Sequence, residues 1–333
     1  MTKTIQEVFS TMNVLRKQHI ETERERQFEA QLLRQFEVVD GCMTHNPVRY
    51  TAGTETNGIA FIEGSGGGKT TAIIEVLRNF EPLALNPETG QPRYLHMKVE
   101  APATLRSLGV SILNKLDVHD VAERTKVYDI WNMVRFRLAR RGISLLWIDE
   151  AHDLFGLNTS TETNNMFKML KGLMQGDHPV VLVLSGTERL SSLTGLDPQV
   201  NRRFTKIRPE PLAFGVDNNR IEGLVKGYAA KASLEAALEG EDINRLIYAS
   251  RYRFGRCVVN ILEAIETALM DGAEVLTVKH FQDAWSKREG CSVDQNVFSA
   301  VEWMSIELPD EGEEVERRSV SVRKPNSKRK KAA

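Results

Sequence analysis

Cysteine is scarce in this chain: Cys42, Cys257 and Cys291 are its only three among 333 residues. Far apart and odd in number, they supply neither a disulfide framework nor the ligand spacing of a zinc site. Long apolar runs are missing too. No stretch approaches the ~20 residues that span a bilayer, so no membrane partner is expected. The first residues, with Lys3, Glu7, Arg16 and Lys17 spread among them, lack the apolar centre of a signal peptide. The seven histidines form no cluster, and no internal repeat is present. These absences point to a soluble protein of a reducing cytoplasm. What is present is ordinary globular composition, 41% apolar and 27% charged, with length for roughly two domains.

A net charge of −1 conceals an uneven distribution. Six acidic residues and no basic one fall between Glu307 and Glu316, then eight basic residues and no acidic one between Arg317 and Lys331. Setting those eight aside leaves the rest at about −9. Blocks so poor in apolar residues are expected to be disordered. The basic block reads as a contact for nucleic acid or an acidic partner, as a solvated end, or as a nuclear signal. Block charge alone does not choose among these.

Gly58-Ile59-Ala60-Phe61-Ile62 has the apolar character of a strand, and Ile73, Ile74, Leu77 and Phe80 mark one face of a helix. Between them lies Gly64-Ser65-Gly66-Gly67-Gly68-Lys69-Thr70-Thr71. Strand, glycine loop, Lys-Thr and helix is the order a phosphate cradle requires. The glycines let successive backbone N–H groups face the phosphates, and the helix N-terminus adds its positive end. Lys69 is placed to reach the β- and γ-phosphates and the Thr70 hydroxyl to bind Mg²⁺, so ATP and Mg²⁺ are the expected cofactors. The first position of the G-x-x-x-x-G-K-[ST] pattern is Glu63 rather than glycine. A flexible Gly/Ser linker is the alternative, but linkers do not sit between a buried strand and an apolar-faced helix.

Residues 1–40 read as a helical region and 41–57 as a connector. After the glycine loop come a turn-rich insert from Pro82 to Pro92, a strand from Arg93 to Val99, and helices near 104–116 and 121–140. Ser144–Ile148 is a buried strand of the parallel type, followed by a helix near 162–175, a strand at Val180–Leu184 and a last strand at Thr205–Leu212. Strands alternating with helices predict an α/β domain around a parallel sheet over 41–214. From 215 to about 290 the pattern is helical with no comparable strand, and 291–333 form an extension that ends in the charged blocks.

Asp149-Glu150 closes the run ending in Ile148, which puts two carboxylates at a strand tip, where open α/β sheets bind ligands. Asp149 suits the water shell of Mg²⁺, and Glu150 suits the orientation and deprotonation of an attacking water. An acidic first helical turn is the plainer alternative; Lys69-Thr70 upstream outweighs it. His152 completes Asp-Glu-Ala-His, but the chain is too short for the paired domains of the helicases named after those letters. It reads as a local polar contact. Ser185-Gly186-Thr187 ends the next strand, where a hydroxyl either senses the γ-phosphate and aligns the water or simply closes the strand. Arg202-Arg203 suits the spread charge of a transferring phosphoryl group, reached across a subunit boundary, or is a surface pair.

Phosphate loop, Asp-Glu strand, hydroxyl-bearing tip and Arg-Arg-Phe, followed by an all-helical part, resemble an AAA+ ATPase in their order. Ile148-Asp149-Glu150-Ala151-His152-Asp153-Leu154, the helix with Leu170 and Leu173, Ser185-Gly186-Thr187-Glu188 and Asp197-Pro198-Gln199-Val200-Asn201-Arg202-Arg203-Phe204 resemble the TniB/TnsC group more narrowly. Those are ATP-dependent regulators of target DNA in transposition, related more distantly to MuB, and the resemblance covers about residues 40–285. It implies an α/β fold: an AAA+ P-loop NTPase parallel sheet core with a C-terminal helical lid domain. It also implies ATP hydrolysis, homo-oligomeric rings or filaments on double-stranded DNA, recruitment of a transposase, and loading by a TniQ-type target-selection protein.

The same resemblance makes Arg203 the arginine finger and Arg202 its runner-up. AAA+ lids often carry an arginine three residues after a glycine. Val258 holds that place after Gly255, so Arg256 is the candidate second sensor instead. Contacts to DNA are implied on segments after the second strand, at Lys98, Thr104 and Arg106, with Lys126 more distant. Because the body is acidic, such contacts need a local stripe, and phosphate contacts give affinity without sequence preference. A scaffold or remodelling ATPase that does not act on DNA shares the nucleotide motifs, as does a nucleotide switch with negligible hydrolysis.

Overall fold

The computed structural model describes residues 4–100, 103–155, 160–195 and 197–308. Of the two charged blocks only Glu307 lies within them, so the expectation of disorder there falls outside the described residues. The elements run α1 (Ile5–Arg16), α2 (Glu23–Leu33), β1 (Phe36–Val39), β2 (Cys42–Pro47), β3 (Gly58–Ile62), α3 (Lys69–Asn79), α4 (Glu81–Ala84) and β4 (Tyr94–Lys98). Next come α5 (Leu105–Lys115), α6 (Val127–Arg140), β5 (Leu145–Asp149), α7 (Ser160–Leu173), β6 (Val181–Gly186), α8 (Glu188–Gly195), α9 (Pro198–Asn201) and β7 (Phe204–Ile207). The remainder is α10 (Asn218–Lys231), β8 (Glu235–Ala237), α11 (Gly240–Ala249), α12 (Phe254–Met270), β9 (Val275–Thr277) and α13 (Val278–Glu289). Two compact units result. Among the described residues, one holds those of 20–64 and 68–210; the other holds 4–19, 65–67 and 211–308.

In the first unit, five parallel strands lie in the order β4-β5-β6-β3-β7. Their register sets Ile62 opposite Gly186, Ile148 opposite Leu184 and Lys98 opposite Asp149, so the carboxyl ends finish nearly flush. Every residue of β3, β5 and β6 is buried, which is why these strands read as unbroken apolar runs. Alternate residues serve opposite faces. Ile59, Phe61, Trp147 and Val183 meet Phe28 and Leu32 of α2 and Ile73 and Leu77 of α3. Ala60, Ile62, Ile148 and Leu184 meet Ile112 of α5, Trp131 of α6 and Phe167 of α7. Each fully buried Ile, Leu, Val or Phe contributes about 1.5–3 kcal/mol, so both helix layers are held by the sheet. Gly58 allows the closest strand approach: a Cβ there would lie 2.6 Å from the Leu182 carbonyl oxygen and from the Phe204 ring.

The second unit is built on α12, whose Cys257, Ile261, Ala264, Ile265 and Ala268 form one buried stripe. Helix α1 packs on α12 through Val8, Met12 and Leu15. A capping box between Thr4 and Glu7 starts α1, and an Arg16–Glu266 ion pair of 2.6 Å ties its last turn to α12. No described helix is long and apolar enough to cross a membrane.

Several expected boundaries are corrected. The helix read over 1–40 is two helices, the second ending at Leu33, and residues from Phe36 to Val39 pair with β2 as an antiparallel hairpin. Asp40 and Gly41 at its tip both have positive φ, +53° and +78°, the primed turn for which Asp-Gly between β-branched and apolar residues is a strong signal. Helix α6 starts at Val127 rather than near 121, with Lys126 as its N-cap. Strand β7 spans Phe204–Ile207 and ends short of Pro209 and Pro211, which lack the N–H a ladder needs. The helical part does contain strand: β8 and β9 pair in parallel, Ala236 opposite Leu276.

Candidate nucleotide site

The glycine loop joins the buried end of β3 to α3. Gly66 at φ +75° and Gly68 at φ +113° occupy backbone that other residues adopt only with strain. Gly68 caps α3, so the first helical N–H groups, those of Lys69, Thr70 and Thr71, have no intrahelical acceptor and are available to an anion. Glu63 explains the departure from the glycine pattern. It is buried, and its Oε1 accepts from the Arg24 guanidinium of α2, from Nε at 2.8 Å and Nη2 at 2.7 Å. Its own N–H donates to the Gly186 carbonyl at 3.0 Å, which joins the loop entrance to the tip of β6.

Asp149 stands at the tip of β5 and is only 3% exposed. Three donors converge on it: Thr70 Oγ1 to Oδ2 at 2.9 Å, Ser185 Oγ to Oδ1 at 2.6 Å, and the Glu150 N–H to Oδ1 at 3.0 Å. Ser185 in turn accepts from the Trp147 indole Nε1 at 2.7 Å, and the His96 ring stacks on Trp147 with centroids 3.7 Å apart. Burial lowers the His96 pKa, so its neutral form is favoured. The paired oxygens of Thr70 and Asp149 fit Mg²⁺, a hard cation that takes few protein ligands and shares the nucleotide phosphates. Among the described residues no group of three or more His, Cys, Asp or Glu forms an all-protein metal cage, and Mg²⁺ of this kind needs none.

Glu150 follows with φ +54°, a backbone that turns it away from the strand line. Its Oε1 lies 3.7 Å from Lys69 Nζ and its Oε2 lies 3.4 Å from His152 Nδ1. His152 Nδ1 also accepts the Thr187 N–H at 3.4 Å, which links Glu150 to the end of β6. Burial lowers the His152 pKa against the opposing pull of Asp153 and Glu150. Lys69 and Glu150 thus neutralise each other across the place where a phosphate would lie.

Within the helical unit, residues 65–67 of the loop meet the start of α12. Arg253 Nη1 donates to the Ser65 carbonyl at 2.7 Å and Arg256 Nε donates to the same oxygen at 3.2 Å. The Gly255 N–H donates to the Gly67 carbonyl at 3.1 Å, and a Cβ on Gly66 would lie 2.7 Å from Arg256 Cγ. Arg256, the candidate second sensor, is therefore brought to the loop despite its irregular spacing from Gly255.

Other expected residues are placed differently. Ser185 has no exposed surface, so it orients Asp149 and does not face a γ-phosphate. The Thr187 hydroxyl beside it is buried with no hydrogen-bond partner among the described residues. Arg203 is turned inward, its side chain 6% exposed and its Nη2 2.5 Å from Glu55 Oε1; Arg202 is the exposed member of the pair at 64%. Gly64 lies at the loop entrance beside Glu63. Arg106 is a loop clamp whose guanidinium donates to the Thr125 and Ala122 carbonyls, and Thr104 caps α5 by accepting the Ser107 N–H at 3.0 Å. Lys98, at the tip of β4, and Lys126 stay exposed. Trp147 and Glu55 were not singled out by sequence. A tryptophan in an aliphatic strand was the available signal for the first; Glu55 had none.

Comparison with known families places this geometry. A family model described as Bacterial TniB protein matches residues 48–212, the span that holds the loop, Asp149-Glu150, the tip of β6 and both arginines. Those residues, just under half of the chain, are similar to the TniB family. No curated protein sequence matches it significantly. Among solved structures it is similar to the Aeropyrum pernix ORC1 protein in complex with DNA, at 16% identity and a TM-score of 0.54 over 82% of this chain and 65% of that one. It is similar to Aeropyrum pernix ORC2 in ADPNP–ADP complexes, at 15% identity and TM-score 0.55 over 85% and 75%. Cdc6p of Pyrobaculum aerophilum gives 12% identity and TM-score 0.56 over the same shares. The fold of this chain is therefore that of an AAA+ ATPase, and it spans just under two thirds of the ORC1 chain's length.

Proposed function

We propose that this chain is a TniB-type, ATP-dependent regulator of DNA transposition that assembles as a homo-oligomer on double-stranded DNA. It recruits a transposase, is loaded by a TniQ-type target selector, and leaves after hydrolysing ATP. The family match over residues 48–212 carries this reading, because that span contains every group the chemistry calls for. Residues 41–214 serve as the nucleotide-binding domain and 215–290 as its lid.

In this reading the loop N–H groups and Lys69 hold the phosphates, and Lys69 exchanges its contact with Glu150 for them. That exchange frees the Glu150 carboxylate to orient a water and take its proton. Thr70 and Asp149 would hold Mg²⁺, which would supply charge neutralisation at the phosphates. Ser185 and Trp147 keep Asp149 in one orientation, and Arg202 reaches the phosphate of a neighbouring subunit. Of the residues expected at DNA, Lys98 and Lys126 are those open to its phosphates.

Co-sedimentation with duplex DNA, with and without ATP, tests the reading, together with electron microscopy of the pelleted material. ATP-dependent pelleting in ordered assemblies is expected. Phosphate release without any DNA association would select a remodelling ATPase that does not act on DNA, and nucleotide binding without release would select a switch.

A further inference from the structure

Arg202 and Arg203 are adjacent, yet one is buried and the other exposed, and a single carboxylate lies between them. Glu55 Oε1 receives Arg203 Nη2 at 2.5 Å, while Glu55 Oε2 lies 4.0 Å from Arg202 Nη2. Glu55 is itself held. Gln175 Nε2 donates to Oε1 at 3.0 Å and Thr51 Oγ1 to Oε2 at 3.3 Å. Its backbone belongs to a tight turn in which Thr51, Ala52 and Gly53 all have positive φ, and its carbonyl accepts the Tyr50 N–H at 2.7 Å. Arg49 and Thr56 pin this turn from both ends, to the Asp177 carbonyl at 2.7 Å and the Met174 carbonyl at 2.9 Å.

The arginine segment is pinned at its base as well. The Arg203 carbonyl accepts the Gly58 N–H of β3 at 2.9 Å, and Lys171 Nζ meets Asp197 Oδ2 at 3.0 Å at the start of the segment. Arg203 nevertheless remains incompletely satisfied: its Nε and Nη1 are buried without an acceptor among the described residues. A buried guanidinium kept under those terms depends on the carboxylate it has. Since Arg203 is fixed inward, the residue before it is the one left to point outward.

We infer that Glu55 is the positioning residue of the arginine pair: it fixes Arg203 as an internal anchor and so aims Arg202 at the neighbouring subunit. In this role Glu55 acts only through the arginines. This rests on the proposed trans arginine. It adds that the arginine is set by a carboxylate on the connector preceding β3, some 150 residues earlier in the chain.

Mixed assemblies test it. ATP turnover is measured with ATP and duplex DNA for Lys69→Ala, Arg202→Ala and Glu55→Gln, alone and in pairs. Arg202→Ala mixed with Lys69→Ala should recover turnover, because one subunit lends an intact pocket and the other an intact arginine. Glu55→Gln alone should fall on the order of ten- to hundredfold, a part of the about 10³–10⁵ an arginine finger is worth, with its ATP affinity unchanged. It should recover with Lys69→Ala and fail to recover with Arg202→Ala, since both of those partners have sound pockets and faulty arginines. A merely structural role gives no such directional pattern. Wild-type turnover in Glu55→Gln, or recovery with Arg202→Ala, would overturn the inference alone. Absence of recovery between Arg202→Ala and Lys69→Ala would overturn the trans reading beneath it. Should Glu55→Gln fail to fold, Glu55→Asp keeps the charge one methylene back and is expected to show the same pattern with a smaller loss; a different pattern there would also sink it.

Discussion

Asp149 and Arg203 are both buried charges in the sheet unit, and the fold treats them in opposite ways. Around Asp149, Thr70, Ser185 and the Glu150 N–H all donate, and Trp147 backs Ser185. Around Arg203 there is Glu55, and two of its nitrogens lack an acceptor among the described residues. The lesson concerns where each group's geometry is decided. A carboxylate with its acceptors filled is set by its own chain before any ligand arrives, which is the condition for electrostatic preorganisation. An arginine resting on one carboxylate is set by that single partner, so its geometry is decided wherever the carboxylate is placed.

The comparison can be broken most severely at the phosphates. Lys69→Ala removes the charge that balances Glu150 and reaches the nucleotide, so tight ATP binding should vanish; equilibrium binding of a labelled nucleotide checks this. Glu150→Gln should keep ATP affinity yet lower turnover by about 10²–10⁴-fold, the usual worth of a general base, as read by phosphate release. Ser185→Ala takes one donor from Asp149 and leaves the Trp147 indole N–H buried without its acceptor. A loss of about 1–3 kcal/mol in urea denaturation is expected, with a raised Mg²⁺ requirement for nucleotide binding. Little change in either would mean that Asp149 is not held by this relay.

The smallest effect concerns pH. Burial lowers the pKa values of His45, His96 and His152, all in the sheet unit. An unfolded histidine takes its proton near about pH 6.5, where these remain neutral in the folded state. The unfolded state then binds more protons, so their contribution to stability is complete above about pH 6.5 and declines as the pH falls below it. His96→Phe, which keeps a ring on Trp147, should reduce that slope in denaturation curves taken between about pH 8 and about pH 5.5.

Much of this was legible in the sequence where local chemistry decides the outcome. The loop from Gly64 to Thr71, the apolar strands and the carboxylates at the tip of β5 follow from spacing and from the need to bury both sheet faces. The β1–β2 hairpin was missed: Asp40-Gly41 signals its turn, but the polar run before it reads as continuing helix. What could not be read are pairings across sequence distance. Nothing near Glu55 indicates Arg203, and nothing near Arg24 indicates Glu63. Ser185 and Thr187 share a strand end and a hydroxyl, and only the tertiary fold assigns one inward to Asp149 and leaves the other without a partner.

The Arg24–Glu63 pair has a consequence for anyone improving this protein by sequence averaging. A consensus approach would install glycine at position 63, since that is what the general phosphate-loop pattern prescribes. Here the replacement would strip a carboxylate from an arginine that is itself buried in α2, a loss of about 3–5 kcal/mol for broken buried pairs. Motif regularity and stability pull apart at this position, and a library built on the motif would select against its own best member. The two positions would have to be varied together, Glu63→Gly with an apolar replacement of Arg24, for the regular loop to be reached at all.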